Sequence, residues 1–249
     1  MLGLFKKKRK AKLSFEGLDL VKVDMHSHLL PGIDDGAKTI EESLALIQRL
    51  VELGFTKLIM TPHIMSDFYR NTPEIILEKL DLVKQACQAE GIEVELEAAA
   101  EYYLDEGFIK KLDNQEKLLT FGDQYLLFET SYLNAPHQLD SAIFMMQSQG
   151  YKPVMAHPER YVYNFGKIDK FVEYHEKGVL MQVNLMSVLG YYGPPQKRMA
   201  DELIEKGIVS FIASDCHKDR HLDAFGNALQ SKQYHTMLQQ GLLNNQLLS

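Results

Sequence analysis

The sequence predicts an α/β fold with a parallel sheet, organised as a single domain and most simply as a TIM-like β/α barrel. Three observations predict it. Short apolar, β-branched segments recur along the chain, each is followed by a longer stretch of helical periodicity, and a glycine precedes several of the segments, where a helix should end. The length of 249 residues, with 45% hydrophobic and 24% charged residues, suits one barrel of this kind. The same figures exclude disorder, a collagen-like fibre and a small disulfide scaffold.

Seven strands are expected, at residues 21–25, 57–60, 94–98, 125–128, 153–156, 180–184 and 209–213. After the first, Thr39 with Glu42 three residues on reads as a capping box, Leu44, Ile47, Leu50 and Val51 form the apolar stripe, and Gly54 ends the helix. Thr72-Pro73 puts a proline at the first position of the next helix, which runs through Ile76, Leu80, Val83 and Ala86 to Gly91. Later helices are expected at residues 137–149, 167–177, 195–206 and 222–240, and Gly150, Gly178 and Gly207 each stand just before a strand. With no Pro/Ser-rich linker and no sequence repeat, one domain over residues 16–249 is expected, preceded by a basic tail over residues 1–15.

Charge is unevenly spread. Lys6, Lys7, Lys8, Arg9, Lys10 and Lys12 place six positive charges and no acid in residues 1–12, so a total of −7 leaves −13 on residues 13–249. An acidic body argues against nucleic-acid binding through a basic face. The tail is expected to be solvated, and weak contact with an anionic membrane surface is its alternative role. Two cysteines, Cys87 and Cys216, fit a reducing compartment. The basic run is not followed by an apolar secretory stretch, Leu2 removes N-myristoylation, and no window approaches the ~20 apolar residues of a membrane span. The cytoplasm is the expected location.

In a parallel β/α barrel, functional groups come from the C-terminal ends of the strands. Here those ends run into Asp24-Met25-His26-Ser27-His28, Thr61-Pro62-His63, Glu101, Glu129, His157-Pro158-Glu159-Arg160 and Ser214-Asp215-Cys216-His217. Six of the seven strands therefore deliver His, Asp or Glu at one end. His26 and His28 are two apart, so in extended chain both imidazoles point the same way and can reach one ion, and Asp215 and His217 repeat the relation. Asp34 stands in Ile33-Asp34-Asp35-Gly36, as a further ligand candidate or as part of a turn. His137, His175, His221 and His235 fall in expected helices or at their ends and are left out of the site.

These blocks resemble the PHP family, named for polymerase and histidinol phosphatase domains, over residues 22–240. Within it the chain is most similar to the manganese-dependent protein tyrosine phosphatases of bacterial capsule and exopolysaccharide loci. The narrower match lies in the segments His26-Ser27-His28-Leu29-Leu30-Pro31-Gly32-Ile33-Asp34-Asp35-Gly36, Ala100-Glu101-Tyr102-Tyr103, Phe128-Glu129 and His157-Pro158-Glu159-Arg160-Tyr161. The resemblance implies a distorted seven-stranded PHP barrel with three divalent ions, manganese first and iron or zinc as alternatives. It assigns His26, His28, Glu101 and Asp215 to one metal, with Glu101 bridging to a second held also by Glu129 and His157. Asp34, His63 and His217 would hold the third.

The implied chemistry is attack of a metal-bound hydroxide on a phosphotyrosine, with no covalent enzyme intermediate. Arg160 is expected to bind the phosphate as a bidentate partner, and Arg220 is a second candidate, set slightly earlier than the family's arginine. Tyr102, Tyr103, Tyr161 and Tyr163 are candidates to stack on the phenolic ring. The implied substrate is the tail of an autophosphorylating bacterial tyrosine kinase that controls capsule or exopolysaccharide synthesis. A thiol mechanism needs arginine six residues after cysteine, but Glu93 follows Cys87 and Leu222 follows Cys216 at that spacing. The alternatives are a PHP phosphoesterase acting on a small metabolite such as histidinol phosphate, an inactive kinase-binding PHP module, and an amidohydrolase-type carbon–nitrogen hydrolase. Glu101 on the third strand fits the last poorly.

Overall fold

Strands form at short, largely apolar runs buried along most of their length, such as Lys57–Met60, Tyr125–Glu129 and Val209–Ala213, and every ladder they make is parallel. The computed structural model describes residues 13–248, so the lysine-rich run lies outside the described residues. The strands are β1 (Val23–Asp24), β2 (Lys57–Met60), β3 (His63–Ile64), β4 (Glu95–Ala98), β5 (Glu101–Tyr103), β6 (Tyr125–Glu129), β7 (Lys152–Ala156), β8 (Leu180–Asn184) and β9 (Val209–Ala213). They form a three-stranded sheet in the order β1-β2-β4 and a six-stranded sheet in the order β3-β5-β6-β7-β8-β9. This is a mixed α/β fold with parallel sheets.

Among the described residues, nine strand segments replace the expected seven because two strands are interrupted. Met60 pairs with Ala98 in the first sheet and His63 with Glu101 in the second, which is one unbroken register carried across both interruptions. Pro62 has no N–H to give a ladder, and Thr61 N instead bonds Ser27 O at 2.8 Å. The kinks turn His63 and Glu101 away from the first sheet and into the second.

Helices follow the strands: α1 (Ile40–Glu52), α2 (Pro73–Glu90), α3 (Glu106–Asp113), α4 (Leu139–Ser148), α5 (Ile168–Glu176), α6 (Pro194–Glu205), α7 (Asp219–Ala228) and α8 (Lys232–Gln240). The Thr39 hydroxyl accepts from Glu42 N at 3.3 Å, and Thr72 caps α2 with Pro73 in its first turn. Two expectations need correction. The span 222–240 is two helices, because Ser231 accepts from Tyr234 N and starts a new one. Helix α3 was not expected; Asp105 caps it, and Phe108 and Leu112, four apart, supply its buried face.

Two apolar clusters flank the sheet. The larger packs the helices on its outside, with Ile47, Leu50, Ile76, Val83, Leu203 and Phe225 all buried. The smaller gathers Val23, Ile59, Leu127, Val154 and Phe211 from the strands, with Leu247 from the C-terminal 3₁₀ turn Asn244–Leu248. No helix among the described residues is long and apolar enough to cross a membrane.

A candidate metal centre at the strand ends

The segment after β1 is shaped to present two imidazoles. Ala37 N donates to His28 O at 3.0 Å, folding the Ile33–Gly36 turn back over the histidine pair. Gly36 approaches so closely that a Cβ there would sit 1.9 Å from His28 O, so no other residue fits without displacing the backbone. His157 and Asp215 adopt φ of 32° and 47°, left-handed conformations that cost non-glycine residues energy and persist only where surroundings over-determine them.

The structure brings the expected groups together. His26 Nε2 and His28 Nε2 are 3.2 Å apart, each lies 3.4 Å from Glu101 Oε2, and they lie 3.6 and 3.5 Å from Asp215 Oδ1. Bonds of ~2.0–2.2 Å to one ion place neighbouring ligand atoms roughly 3–3.5 Å apart, which is the spacing of this quartet. On its flank, His157 Nε2 lies 3.0 Å from Glu101 Oε1 and 3.7 Å from Glu129 Oε2, while His63 Nδ1 lies 2.9 Å from Glu101 Oε2 and 3.1 Å from Glu129 Oε1. Although so close, neither His63 Nδ1 nor Glu101 Oε2 completes a hydrogen bond, and both are buried. Atoms that converge without bonding one another suit a shared cation.

The ligand reading of Asp34 is corrected by the geometry. Asp34 Oδ2 sits 2.7 Å from His28 Nδ1 and Oδ1 accepts from Gly36 N, so this carboxylate orients His28 from behind. Its neighbour takes the expected place: Asp35 Oδ1 lies 3.5 Å from His63 Nε2 and 3.3 Å from His217 Nε2. The potential ligand atoms of His28, Asp35, His63 and His217 all lie within 4.8 Å of one another.

Burial alone would raise the Glu101 and Asp215 carboxyls. The imidazoles of His26 and His63 around the first, and His217, His26 and Arg160 around the second, outweigh it and hold both well below the usual carboxylate range. Reciprocally, burial works against charge on His28 and His63, yet Asp34 beside the first and Glu101 beside the second raise them well above the ordinary imidazole value. The cluster is thus a buried anionic site that draws positive charge, which protons or metal ions can supply.

A cleft of about 640 Å³ opens above these residues. Arg160 forms its wall: NH1 lies 3.0 Å from Asp215 Oδ2, and the guanidinium carbon sits 4.4 and 4.5 Å from the ring centroids of Tyr132 and Tyr192. Arg220 also lines the cleft. Of the four expected tyrosines only Tyr103 does so; the Tyr102 hydroxyl accepts from Leu119 N, and Tyr161 is buried, donating to Ala156 O. Tyr69, Tyr132, Tyr191 and Tyr192 line it instead. His221, left out of the site on its sequence context, also lines the cleft and accepts from His217 N at 3.2 Å. Cys216 is buried between two site residues and burial pushes its thiol well above its ordinary value, so it is no nucleophile.

Of the seven strands expected from the sequence, the one at β8 lacks His, Asp or Glu at its end, but its amides Gln182 and Asn184 reach the site. Gln182 Oε1 lies 2.8 Å from His26 Nδ1, and Asn184 Nδ2 donates to Asp215 Oδ2 at 2.6 Å.

The profile of the family described as capsular polysaccharide synthesis, CpsB/CapC, matches residues 22–240, most of the chain. The chain belongs to the CpsB/CapC family. It is 28% identical over 230 residues to a putative tyrosine-protein phosphatase, CapC, of Staphylococcus aureus, covering 91% of this chain and 90% of that one. Against the tyrosine-protein phosphatase YwqE of Bacillus subtilis it is 30% identical over 198 residues, 78% of this chain and 77% of the relative. A solved structure described among YwqE of Bacillus subtilis and CpsB of Streptococcus pneumoniae, as metal-dependent tyrosine phosphatases, superposes with a TM-score of 0.77 at 24% identity, over 91% of this chain and 94% of that one. A Listeria monocytogenes lactonase shares the fold more distantly, with a TM-score of 0.52 at 11% identity. For this CpsB/CapC member, the family match spans every residue of the cluster described above.

Proposed function

We propose that this CpsB/CapC chain is a metal-dependent protein tyrosine phosphatase. One observation carries the reading: Glu101 Oε2 and His63 Nδ1, buried and without hydrogen bonds, converge with His26, His28 and Asp215 beneath a cleft walled by Arg160. The donor set of carboxylates and imidazoles suits three divalent ions, manganese first and iron or zinc as alternatives. His26, His28, Glu101 and Asp215 would hold one, Glu101, Glu129 and His157 a second, and Asp35, His63 and His217 the third. Bound ions there would supply Lewis acidity toward phosphoryl oxygens and lower the pKa of a water.

The chain's own residues do the rest. Arg160, held flat between Tyr132 and Tyr192 and anchored on Asp215, presents guanidinium N–H groups to a phosphate, and Arg220 offers a second cation. Tyr69, Tyr103 and Tyr191 give the cleft aromatic walls suited to a phenolic leaving group. The proposed substrate is a phosphotyrosine in the tail of a bacterial tyrosine kinase that regulates capsule or exopolysaccharide synthesis, met in the cytoplasm.

The proposal includes a single barrel domain over residues 16–249. The Ser27–Cys216 bridge supports closure, with His28 N donating to Cys216 O and Asp215 N to His26 O, both at 2.9 Å. The apolar cluster to which β1, β2, β6, β7 and β9 all contribute supports it too.

Turnover of a phosphotyrosine peptide and of histidinol phosphate, each with added Mn²⁺, tests the activity. The peptide is expected to be hydrolysed; exclusive turnover of the small metabolite would move the protein to the metabolite phosphoesterases. No bound metal and no turnover with Mn²⁺ would leave only the inactive kinase-binding module.

A further inference from the structure

We infer that Gln182 and Asn184 on β8 are positioning residues that set the tautomer of His26 through a hydrogen-bond relay anchored on Asp215. The inference rests on the metal-centre reading above and extends it to groups that are not themselves ligands.

Hydrogen-bond polarity can be followed through the relay atom by atom. Asp215 Oδ2 already accepts from the Arg160 guanidinium at 3.0 Å, so the Asn184 atom 2.6 Å from that oxygen is the Nδ2 donor. Asn184 Oδ1 then faces the other way and accepts from Gln182 Nε2 at 2.9 Å. That leaves Gln182 Oε1 against His26 Nδ1 at 2.8 Å, where a carbonyl oxygen requires a proton on Nδ1. A second anchor agrees independently: the backbone N–H of His157 can only donate, and it points at the same Gln182 Oε1 at 3.3 Å. Both ends of the relay therefore demand the same amide orientations. Its result is an Nε2 lone pair on His26 directed at Glu101, Asp215 and His28.

Gln182 and Asn184 are two apart on one strand, so their side chains share a face and are both fully buried. Buried amides are costly unless each polar atom is matched, and here each is. Asn184 N also donates to Glu159 Oε1 at 2.9 Å, which accepts Ser187 Oγ at 2.7 Å, so the strand end is locked on its outer side as well. The two histidines of the pair are thereby supported differently, His28 Nδ1 by the Asp34 carboxylate and His26 Nδ1 by a neutral amide. A carboxylate makes its histidine the more basic donor.

Mn²⁺ titration calorimetry on chelator-stripped protein tests the relay, with Gln182→Met and Gln182→Glu compared with the wild type. Methionine fills the space and accepts no proper hydrogen bond from His26; glutamate keeps an acceptor for His26 Nδ1 and gives up only the donor to Asn184 Oδ1, so the pair separates support of His26 from the joint to Asn184. Gln182→Met is expected to weaken the tightest Mn²⁺ site by ~10–100-fold, as loss of a group orienting a metal-bound histidine does, while Gln182→Glu stays within ~3-fold of the wild type or binds more tightly. Thermal unfolding of each variant in chelator identifies any that has lost its fold, and Asn184→Leu, which cuts the relay at its other joint, then replaces it. In the double variant Gln182→Met/Asn184→Leu the losses are expected to be less than multiplicative, because both cut one chain. Equal loss in the methionine and glutamate variants, no loss in either, or fully multiplicative losses would overturn the relay. A wild type that binds no Mn²⁺ would overturn the metal centre itself, a separate outcome.

Discussion

Two buried polar regions join β1 to β9, and they are built on opposite principles. Below the site, the Asn244 side chain is fully buried, and its Oδ1 accepts from Ile212 N at 3.1 Å while Nδ2 donates to Val23 O and Ile212 O at 3.0 and 2.8 Å. Every polar atom there has a partner. Above it, Glu101 is just as buried, yet its Oε2 has no hydrogen bond despite three imidazole nitrogens within 3.4 Å. The satisfied seam contributes stability; the unsatisfied cluster is arranged for something the polypeptide does not contain.

Breaking the upper region should abolish function without harming the fold. Glu101→Gln removes the carboxylate that touches His26, His28, His63 and His157, and phosphotyrosine-peptide turnover should fall by at least ~10³-fold, since a single stabiliser of transition-state charge is often worth 10²–10³. Bound metal, measured by elemental analysis, should fall with it. In chelator the variant should still unfold cooperatively, with a midpoint below that of the wild type because the His63 imidazolium loses its partner. Loss of cooperative unfolding in chelator would mean that Glu101 is needed for the fold itself.

The lower region predicts the reverse. Asn244→Ala leaves the Val23 and Ile212 carbonyls and one N–H without partners, and denaturant unfolding should show a loss of ~3 kcal/mol with an unchanged slope. Metal content and turnover per folded molecule should stay as in the wild type. Arg160→Lys sharpens the comparison at the cleft wall, where a point charge replaces a planar fork seated between Tyr132 and Tyr192. A fall of about 10²-fold in kcat/KM with metal content retained is expected; loss of metal would show that Arg160 acts through Asp215 rather than on substrate.

How legible these regions were in the sequence follows from how each is made. His26, His28, His63, Glu101, Glu129, His157, Asp215 and His217 stand at strand ends, where alternation and the β/α pattern place them. Asp34 and Asp35 lie in a turn, where no periodicity tells one carboxylate from the next; the folded turn holds Asp34 on His28 Nδ1 and Gly36 N and leaves Asp35 facing His63 and His217. Gln182 and Asn184 carry no ligand chemistry, although two polar residues spaced by two in a buried strand were a readable sign of a shared polar face. The kinks at Thr61-Pro62 and Ala99-Ala100 left no mark beyond the proline. Helix α3, eight residues long, offered only Asp105, Phe108 and Leu112 as its signal.

An acidic chain with a proposed anionic substrate poses an apparent contradiction, since residues 13–249 carry −13. Divalent ions held among Asp35, Glu101, Glu129 and Asp215, as proposed, would resolve it by reversing the local sign. Equilibrium binding of inorganic phosphate, measured by calorimetry on chelator-stripped and Mn²⁺-loaded protein, tests this claim most directly. Phosphate should bind the loaded protein and show no measurable binding to the stripped one; equal affinity in the two would contradict the account.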